Sequence, residues 1–169
     1  MMIVMLSNSF FSPTHGQLTQ DEVIRNIVLF IREDPKAFYN LAIGTDSHAV
    51  QGDSSKKMTF VTALVIHRKG KGGRYFWQEN KLSGIVTLRD KIYAETLLSV
   101  NFAQKFIPNL KLALTNGEKY ELEIHLDVGE KGDTRDMIKE VIGIVVGSGF
   151  VAKTKPYSYG ASIVADKHT

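Results

Sequence analysis

Four acidic residues stand where a carboxylate is costly or where it meets the edge of a predicted sheet. Glu95 interrupts an apolar helical stripe, Asp46 and Asp127 follow apolar segments typical of buried strands, and Asp166 lies among small residues. Carboxylates that are brought together repel one another unless divalent cations neutralise them. These residue types, drawn from distant parts of the chain, therefore predict a binding site for hard divalent cations.

The strongest of these signals is Glu95. A helix is predicted from Thr87 to Ile107, stopping before Pro108, and at 100° per residue one stripe of it contains Leu88, Ile92, Glu95, Ser99, Phe102 and Phe106. An isolated carboxylate on a buried face needs a cation, a metal or a proton. The alternative is a structural salt bridge or a backbone cap, which also perturbs such groups.

Two aspartates end apolar runs. Asp46 follows Ile43-Gly-Thr, and Asp127 follows Ile124-His-Leu. Aspartate after a strand is often only a turn former. Gly44 lies two residues before Asp46 on the same strand face, where its missing side chain leaves room for close approach. Two neighbouring strands that both end in aspartate, beside a helix that buries a glutamate, favour a site.

Asp166 is a fourth candidate. It belongs to the final segment Ile163-Val-Ala-Asp-Lys-His-Thr169, and the small residues before and within that segment would let it pack closely on the sheet: Gly160, Ala161, Ser162 and Ala165. Close packing would bring Asp166 to the same edge as Asp46. The alternative is an exposed, frayed terminus.

Three histidines are auxiliary candidates. His125 lies two residues before Asp127 on the same strand face, so the pair has chelating spacing, but a hydrogen-bonded supporting role is favoured over direct ligation. His48 and His168 lie near the candidate ligands and have the right chemistry to shuttle protons.

The pattern of hydrophobic residues predicts the elements that carry these groups. Thr19 and Glu22 form a capping box, and an apolar helical pattern then runs to Asp34-Pro35. Further helices are predicted over 134–146 and 158–166. Five strands are predicted at 38–46, 57–68, 74–79, 120–128 and 150–154.

The order of these elements predicts an α/β fold. The first three strands are close in sequence, with a glycine-rich turn at 69–73, so they should form an antiparallel meander. The last two are each reached through a helix and should lie parallel to the first. We therefore expect one domain over 1–169, a mixed five-stranded sheet flanked by helices, with an N-terminal helical extension of about 35 residues. Ligands of such sheets bind beyond the carboxyl ends of the parallel strands.

Composition excludes several classes of protein. The 169 residues contain no cysteine, which removes disulfides, thiolate metal sites and cysteine nucleophiles. No apolar run approaches the roughly 20 residues that span a bilayer. The first eleven residues lack a basic region and a cleavage site, so no signal peptide is predicted. We expect a soluble cytoplasmic protein with no membrane partner.

Positive charge is concentrated in one window. The net charge is +3, but residues 56–81 hold seven basic residues and one acid, or +6, which leaves −3 for the rest of the chain. Candidate phosphate contacts in this window are Arg68, Lys69, Lys71 and Arg74. The alternative is a solvated hairpin tip.

One predicted strand carries a polar face. Glu121, Glu123 and His125 alternate with apolar residues in the fourth strand, although a central parallel strand is normally apolar on both faces. Either the N-terminal helix or a second subunit would cover this face, so a homo-oligomer is one of the expected arrangements.

The order of elements and the four acidic positions resemble the ribonuclease H-like superfamily. More narrowly, the chain resembles the YkuK-type family of small bacterial proteins. The segments that carry this resemblance cover most of the chain: Phe10-Phe-Ser-Pro-Thr-His-Gly16, Ile43-Gly-Thr-Asp-Ser47, Leu126-Asp-Val-Gly129 with Thr134-Arg135, and Ala165-Asp-Lys-His-Thr169. The resemblance implies that Asp46, Glu95, Asp127 and Asp166 bind two Mg²⁺ or Mn²⁺ ions. We expect no counterpart of the long final helix of the superfamily.

The function implied by the resemblance is a metal-dependent nuclease acting on DNA, RNA or a hybrid by a two-metal-ion mechanism. An alternative is a nucleic-acid-binding protein that keeps the fold without the chemistry. A phosphotransferase is a weaker alternative, because the sequence holds no Walker-type phosphate loop.

Overall fold

The computed structural model describes residues 7–50 and 57–169, which form an α/β fold. A single turn of 3₁₀ helix, Arg135–Met137, precedes the third α-helix. The elements in chain order are β1 (Phe10–Ser12), β2 (Gly16–Leu18), α1 (Gln20–Glu33), β3 (Tyr39–Ala49), β4 (Met58–Arg68), β5 (Gly73–Leu82), α2 (Leu88–Ala113), β6 (Glu121–His125), α3 (Ile138–Gly147), β7 (Val151–Lys153) and α4 (Tyr159–Lys167).

The strands form one mixed sheet in the order β2-β1-β5-β4-β3-β6-β7. Strands β3, β4 and β5 form the expected antiparallel meander, while β6 lies parallel to β3, and β7 parallel to β6. The α/β class and the mixed sheet are confirmed. The prediction of five strands is wrong, since the sheet has seven.

Both additional strands come from the segment that was expected to be a helical extension. β1 and β2 pair as an antiparallel hairpin, and β1 joins the sheet where Phe11 lies opposite Trp77 of β5. In the hairpin turn, the hydroxyl of Ser12 accepts hydrogen bonds from the backbone N–H groups of Thr14 and His15. The N-terminal segment therefore extends the sheet before α1 begins.

Helix α1 begins and ends where its sequence predicts. The Thr19 side chain accepts from the N–H of Glu22, and the Glu22 carboxylate accepts from the N–H of Thr19, which completes the capping box. The helix ends at Glu33, two residues before Pro35. The residues that α1 buries against the core are Val23, Ile24, Ile27, Val28, Phe30 and Ile31.

Helix α2 continues six residues beyond the predicted end at Ile107, with Pro108 inside it. Proline removes one backbone hydrogen bond and costs about 3 kcal/mol within a helix. Ile107 and Leu110 are 4% and 0% exposed. Burying two such side chains contributes roughly 3–6 kcal/mol, which offsets the cost of the proline.

Helices α2 and α4 cover opposite faces of β3, an interior strand of the sheet between β4 and β6. The hydroxyl groups of Thr45 and Ser99 lie 2.8 Å apart, which directs Thr45 toward α2. A methyl group placed on Gly44 would lie 3.0 Å from Ala161 Cβ, so Gly44 faces α4 at the close approach that its sequence predicts. Because strand side chains alternate, Asp46 lies on the α4 face and Ser47 on the α2 face.

In the described part of the chain, none of the helices combines the length and the apolar character that crossing a membrane requires.

Candidate catalytic carboxylate site

The site lies at the edge where β6 ends beside β3. The last pair between these parallel strands joins Gly44 to His125, and both aspartates follow two residues later. Asp127 lies beyond the end of β6. Asp46, in contrast, is not at a strand end as predicted: β3 continues to Ala49, because residues 45–49 keep pairing with β4. The carboxylate of Asp46 thus extends from a rigid strand.

Three aspartates open onto one surface cavity of about 400 Å³. Asp46 comes from β3, Asp127 from the segment after β6, and Asp166 from α4. Asp46 is half-buried and Asp166 is exposed. The hydroxyl of Thr169 lies 3.5 Å from Asp46 Oδ2, a long hydrogen bond that joins the segment after α4 to β3. The other lining residues are Lys155, Pro156, Ser158, Ser162 and Ile163.

Glu95 reaches the same edge from the opposite face of the sheet. It is 5% exposed, as its position on the apolar stripe predicts. The Ser47 hydroxyl donates to Glu95 Oε1 at 2.7 Å, and the Lys91 ammonium lies 3.7 Å from the same oxygen. A small void of about 10 Å³ has both Glu95 and Asp127 in its wall, so Asp127 lies between Glu95 and the larger cavity.

Burial and mutual repulsion raise the pKa of two of these acids. Desolvation is the main cause for Glu95 and raises its pKa to about 7, while the Ser47 hydrogen bond and Lys91 act in the opposite direction. The pKa of Asp46 is also raised, first by burial, with further contributions from Asp127 and Asp166. Both carboxyl groups therefore hold their protons more tightly than freely solvated carboxyl groups do.

Two lysines provide the cations at this edge. The Lys155 ammonium lies 2.6 Å from Asp127 Oδ1, and Lys91 is the partner of Glu95. In residues 7–50 and 57–169, no three acidic or histidine side chains lie close enough together to hold a metal ion. The donor set fits Mg²⁺ or Mn²⁺ by chemistry, since all four groups are carboxylates, the hard oxygen ligands that these ions prefer. In this structure, two of the four carboxylates, those of Asp127 and Glu95, form ion pairs with lysines.

His125 is fully engaged in hydrogen bonds away from the cavity. Its Nδ1 accepts from the N–H of Ala161 at 3.3 Å, and its Nε2 lies 3.0 Å from Glu123 Oε2. Burial lowers the pKa of this imidazole, and Glu123 acts in the opposite direction. With both ring nitrogens bonded, His125 joins β6 to the start of α4 and has no lone pair for a metal.

The other two histidines differ from each other. His48 is exposed near the end of β3. The His168 ring stacks on Trp77 with centroids 3.7 Å apart and planes 9° apart, and it also contacts Tyr75. Burial lowers the pKa of His168, and Lys167 lowers it further. This stack fixes the C-terminal end of α4 against β5.

The structure does not bring the basic hairpin to the carboxylates. Arg68 pairs with Tyr39 at the other end of β3, about 23 Å from Asp46 at about 3.3 Å per strand residue. Its guanidinium bonds Glu33 at 2.6 Å and lies 4.2 Å from the centroid of the Phe30 ring. These contacts hold the Arg68 side chain against α1.

The remaining members of the hairpin are also at that end. Lys71 bonds Asp34 at 3.0 Å, and the Arg74 guanidinium lies 4.7 Å from the Phe30 ring centroid. Lys69 lies in the turn and is exposed. Lys56, the first residue of the basic window, lies outside the described residues.

Three residues of the site were not identified from the sequence. Lys91 precedes Glu95 by four residues, and side chains at this spacing are neighbours on a helix, so the sequence contains a signal for this ion pair. Ser47 follows Thr45 at strand spacing, and two hydroxyl residues on an apolar face signal a buried polar partner. Lys155 follows β7 as Asp127 follows β6, so only the pairing of these two strands reveals their contact.

The mixed sheet with helices on both faces is the architecture of the ribonuclease H-like class, and the chain belongs to that family: the family model described as Ribonuclease H-like matches residues 22–169. Within the family it is of the YkuK type. It is 36% identical to the uncharacterized protein YkuK of Bacillus subtilis (strain 168), an alignment that covers 95% of this chain and 96% of that protein. No solved structure matches the chain.

Proposed function

We propose that this protein is a metal-dependent nuclease that hydrolyses phosphodiester bonds of nucleic acid. The observation that carries the proposal is the buried carboxylate of Glu95, with its pKa raised to about 7, beside a cavity lined by three aspartates. An arrangement that concentrates negative charge in this way is costly for folding, and divalent cations would compensate it. Membership of the ribonuclease H-like family, which includes nucleases, supports the same function.

Each acid has a role in the proposal. Asp46, Asp127 and Asp166 would hold the ions from the cavity that they line, and Glu95 would add its carboxylate beside Asp127 from the α2 face of the sheet. When bound, the two cations supply Lewis-acid activation of water and stabilisation of the leaving oxygen. Ser47 holds the Glu95 carboxylate in a fixed orientation at 2.7 Å, and the open cavity gives a phosphodiester access to the three aspartates.

A cleavage assay tests this proposal. Labelled DNA, RNA and hybrid substrates are incubated with Mn²⁺ and either the wild type or Asp46→Asn. Asp34→Asn is the matched control, because Asp34 also pairs with a lysine but lies at the far end of β3. Cleavage that Asp46→Asn loses and Asp34→Asn keeps supports the proposal. Equal cleavage by all three proteins rejects this site.

The second candidate is a nucleic-acid-binding protein without catalysis. The observation that favours it is that, among the residues that the structure describes, lysines face the carboxylates and no preassembled set of three ligands is present. It predicts salt-dependent binding of nucleic acid with no turnover. Calorimetric titration with Mn²⁺ separates the two candidates, since the nuclease gives a binding isotherm and the binding protein gives none.

A further inference from the structure

Lys155 is a basic residue in the wall of a cavity that three aspartates line. Its ammonium lies 2.6 Å from Asp127 Oδ1, and its side chain also lines the cavity that Asp46 and Asp166 share. The side chain is 60% exposed, whereas that of Asp127 is 35% exposed. The lysine therefore stands at the mouth of the cavity, with its charge directed to an acid inside.

The backbone at Lys155 is held by a hydrogen bond, whereas its side chain is largely exposed. The N–H of Lys155 donates to the carbonyl of Val128 at 2.9 Å, which ties the segment after β7 to the segment after β6. A methyl group placed on Gly129 would lie 3.3 Å from Lys155 Cβ, so Gly129 lets the two segments approach closely. Beyond Cβ, the flexible four-carbon stem of a lysine lets its point charge exchange between nearby anions.

An ammonium and a divalent cation compete for the same carboxylate. A metal ion that takes an oxygen of Asp127 would repel the Lys155 ammonium from the position that it now holds. The released charge would lie beside a cavity where the proposed substrate brings its own negative charge. A phosphate oxygen is the natural new partner, because ammonium groups bind phosphate as point charges.

We propose that Lys155 is an exchangeable cation of this cavity: it neutralises Asp127 in the metal-free protein and moves to a phosphate of bound nucleic acid when a divalent cation occupies Asp127. This inference rests on the proposed function and adds a substrate-binding residue to it.

Metal affinity gives the first test and needs no activity. Mn²⁺ is titrated by calorimetry into the wild type, Lys155→Ala and the control Lys105→Ala, in which an exposed lysine of α2 that does not line the carboxylate cavity is removed. Loss of the competing ammonium should tighten Mn²⁺ binding by about fivefold, the scale of a partly exposed ion pair. Lys105→Ala should bind as the wild type does.

Binding of nucleic acid gives the second test. A labelled single-stranded DNA is titrated by fluorescence anisotropy at several salt concentrations, with Ca²⁺ in place of Mn²⁺ to slow hydrolysis. Lys155→Ala should bind more weakly and lower the salt slope by about 1, as expected for one lost phosphate contact. Lys155→Arg, which keeps the charge, should retain most of the binding.

The outcomes separate this inference from the function on which it rests. If the wild type binds Mn²⁺ and Lys155→Ala binds it with unchanged affinity, the exchange is wrong while the nuclease proposal stands. Unchanged DNA affinity and salt slope in Lys155→Ala also overturn the exchange. If neither the wild type nor Lys155→Ala binds Mn²⁺, the metal-dependent function itself fails, and the inference fails with it.

Discussion

The hydroxyl of Ser47 donates a hydrogen bond to Glu95 Oε1 at 2.7 Å, and this contact joins strand β3 to a buried carboxylate of α2. Asp46 is the neighbour of Ser47 in the chain and faces the opposite side of the sheet. One pair of adjacent residues therefore serves both halves of the site. The geometry explains how acids on two faces of a sheet can act at one edge.

The raised pKa of Glu95 predicts a specific dependence of stability on pH. The folded protein holds this proton more tightly than the unfolded chain, so the contribution of Glu95 to the unfolding free energy falls as pH rises from 4.5 to about 7. The loss should be roughly 3 kcal/mol. Urea unfolding at pH 4.5 and pH 8 should show this loss in the wild type and not in Glu95→Gln.

The control for this experiment is Glu140→Gln, which changes an exposed glutamate of α3 that pairs with Arg89. This variant should follow the wild type at both pH values. A wild type and a Glu95→Gln variant with parallel pH profiles would show that Glu95 ionises as an ordinary glutamate.

Ser47→Ala should raise the pKa of Glu95 further, because the hydroxyl stabilises the charged carboxylate. A ¹³C NMR titration of the Glu95 carboxyl measures the change directly. At pH 8 the variant should lose about 2 kcal/mol of stability, the scale of a hydrogen bond to a charged group. Ser148→Ala, which removes a hydroxyl bond at the end of α3, should leave the Glu95 titration unchanged.

Gly44→Ala should displace α4 from the sheet. The added methyl group would lie 3.0 Å from Ala161 Cβ and 3.2 Å from the carbonyl oxygen of His125, so it should destabilise the protein by about 2 kcal/mol. Gly143→Ala is the matched control, since a methyl group there meets nothing within 4 Å. Ala161→Gly should rescue part of the loss in the double variant, and additive losses would contradict the predicted contact.

His168→Ala should loosen the C-terminal end of α4. The stack on Trp77 is the closest ring contact in the described residues, and such pairs contribute about 1 kcal/mol. Trp77 is the only tryptophan of the chain, so its fluorescence reports this contact without interference. The emission should change in His168→Ala and not in His48→Ala, and an unchanged spectrum in both would argue against the stack.

The sequence predicted the parts of the fold that depend on local patterns. Helix α1 begins at the capping box of Thr19 and Glu22 and ends before Pro35. Both signals lie within a few residues of the helix ends. Helical periodicity also predicted the burial of Glu95, because its stripe contains five residues other than Glu95, four of them apolar. Periodicity carries this information without any knowledge of tertiary structure.

Other parts of the fold depend on contacts that the sequence does not reveal. Strands β1 and β2 have three residues each, too few for an alternating pattern, and they form because β1 pairs with β5. Pro108 lies inside α2 because Ile107 and Leu110 are buried against the core, which outweighs a local rule.

In the candidate site, too, local sequence patterns predicted some features, and tertiary contacts determine the others. The types and positions of the four acids make them candidates in the sequence. That Asp46 and Glu95 approach the same edge from opposite faces of the sheet follows from the register of β3. The contact of Lys155 with Asp127 arises from the parallel pairing of β6 and β7. No spacing in the sequence relates these two residues, which are 28 positions apart.

The most direct test of a cation site at this edge is anomalous diffraction from crystals soaked in Mn²⁺. We expect anomalous peaks in the cavity of Asp46, Asp127 and Asp166 and beside Glu95, with the Lys155 ammonium displaced from Asp127. A soaked crystal without these peaks, in which Lys155 and Lys91 keep their present partners, would contradict this expectation.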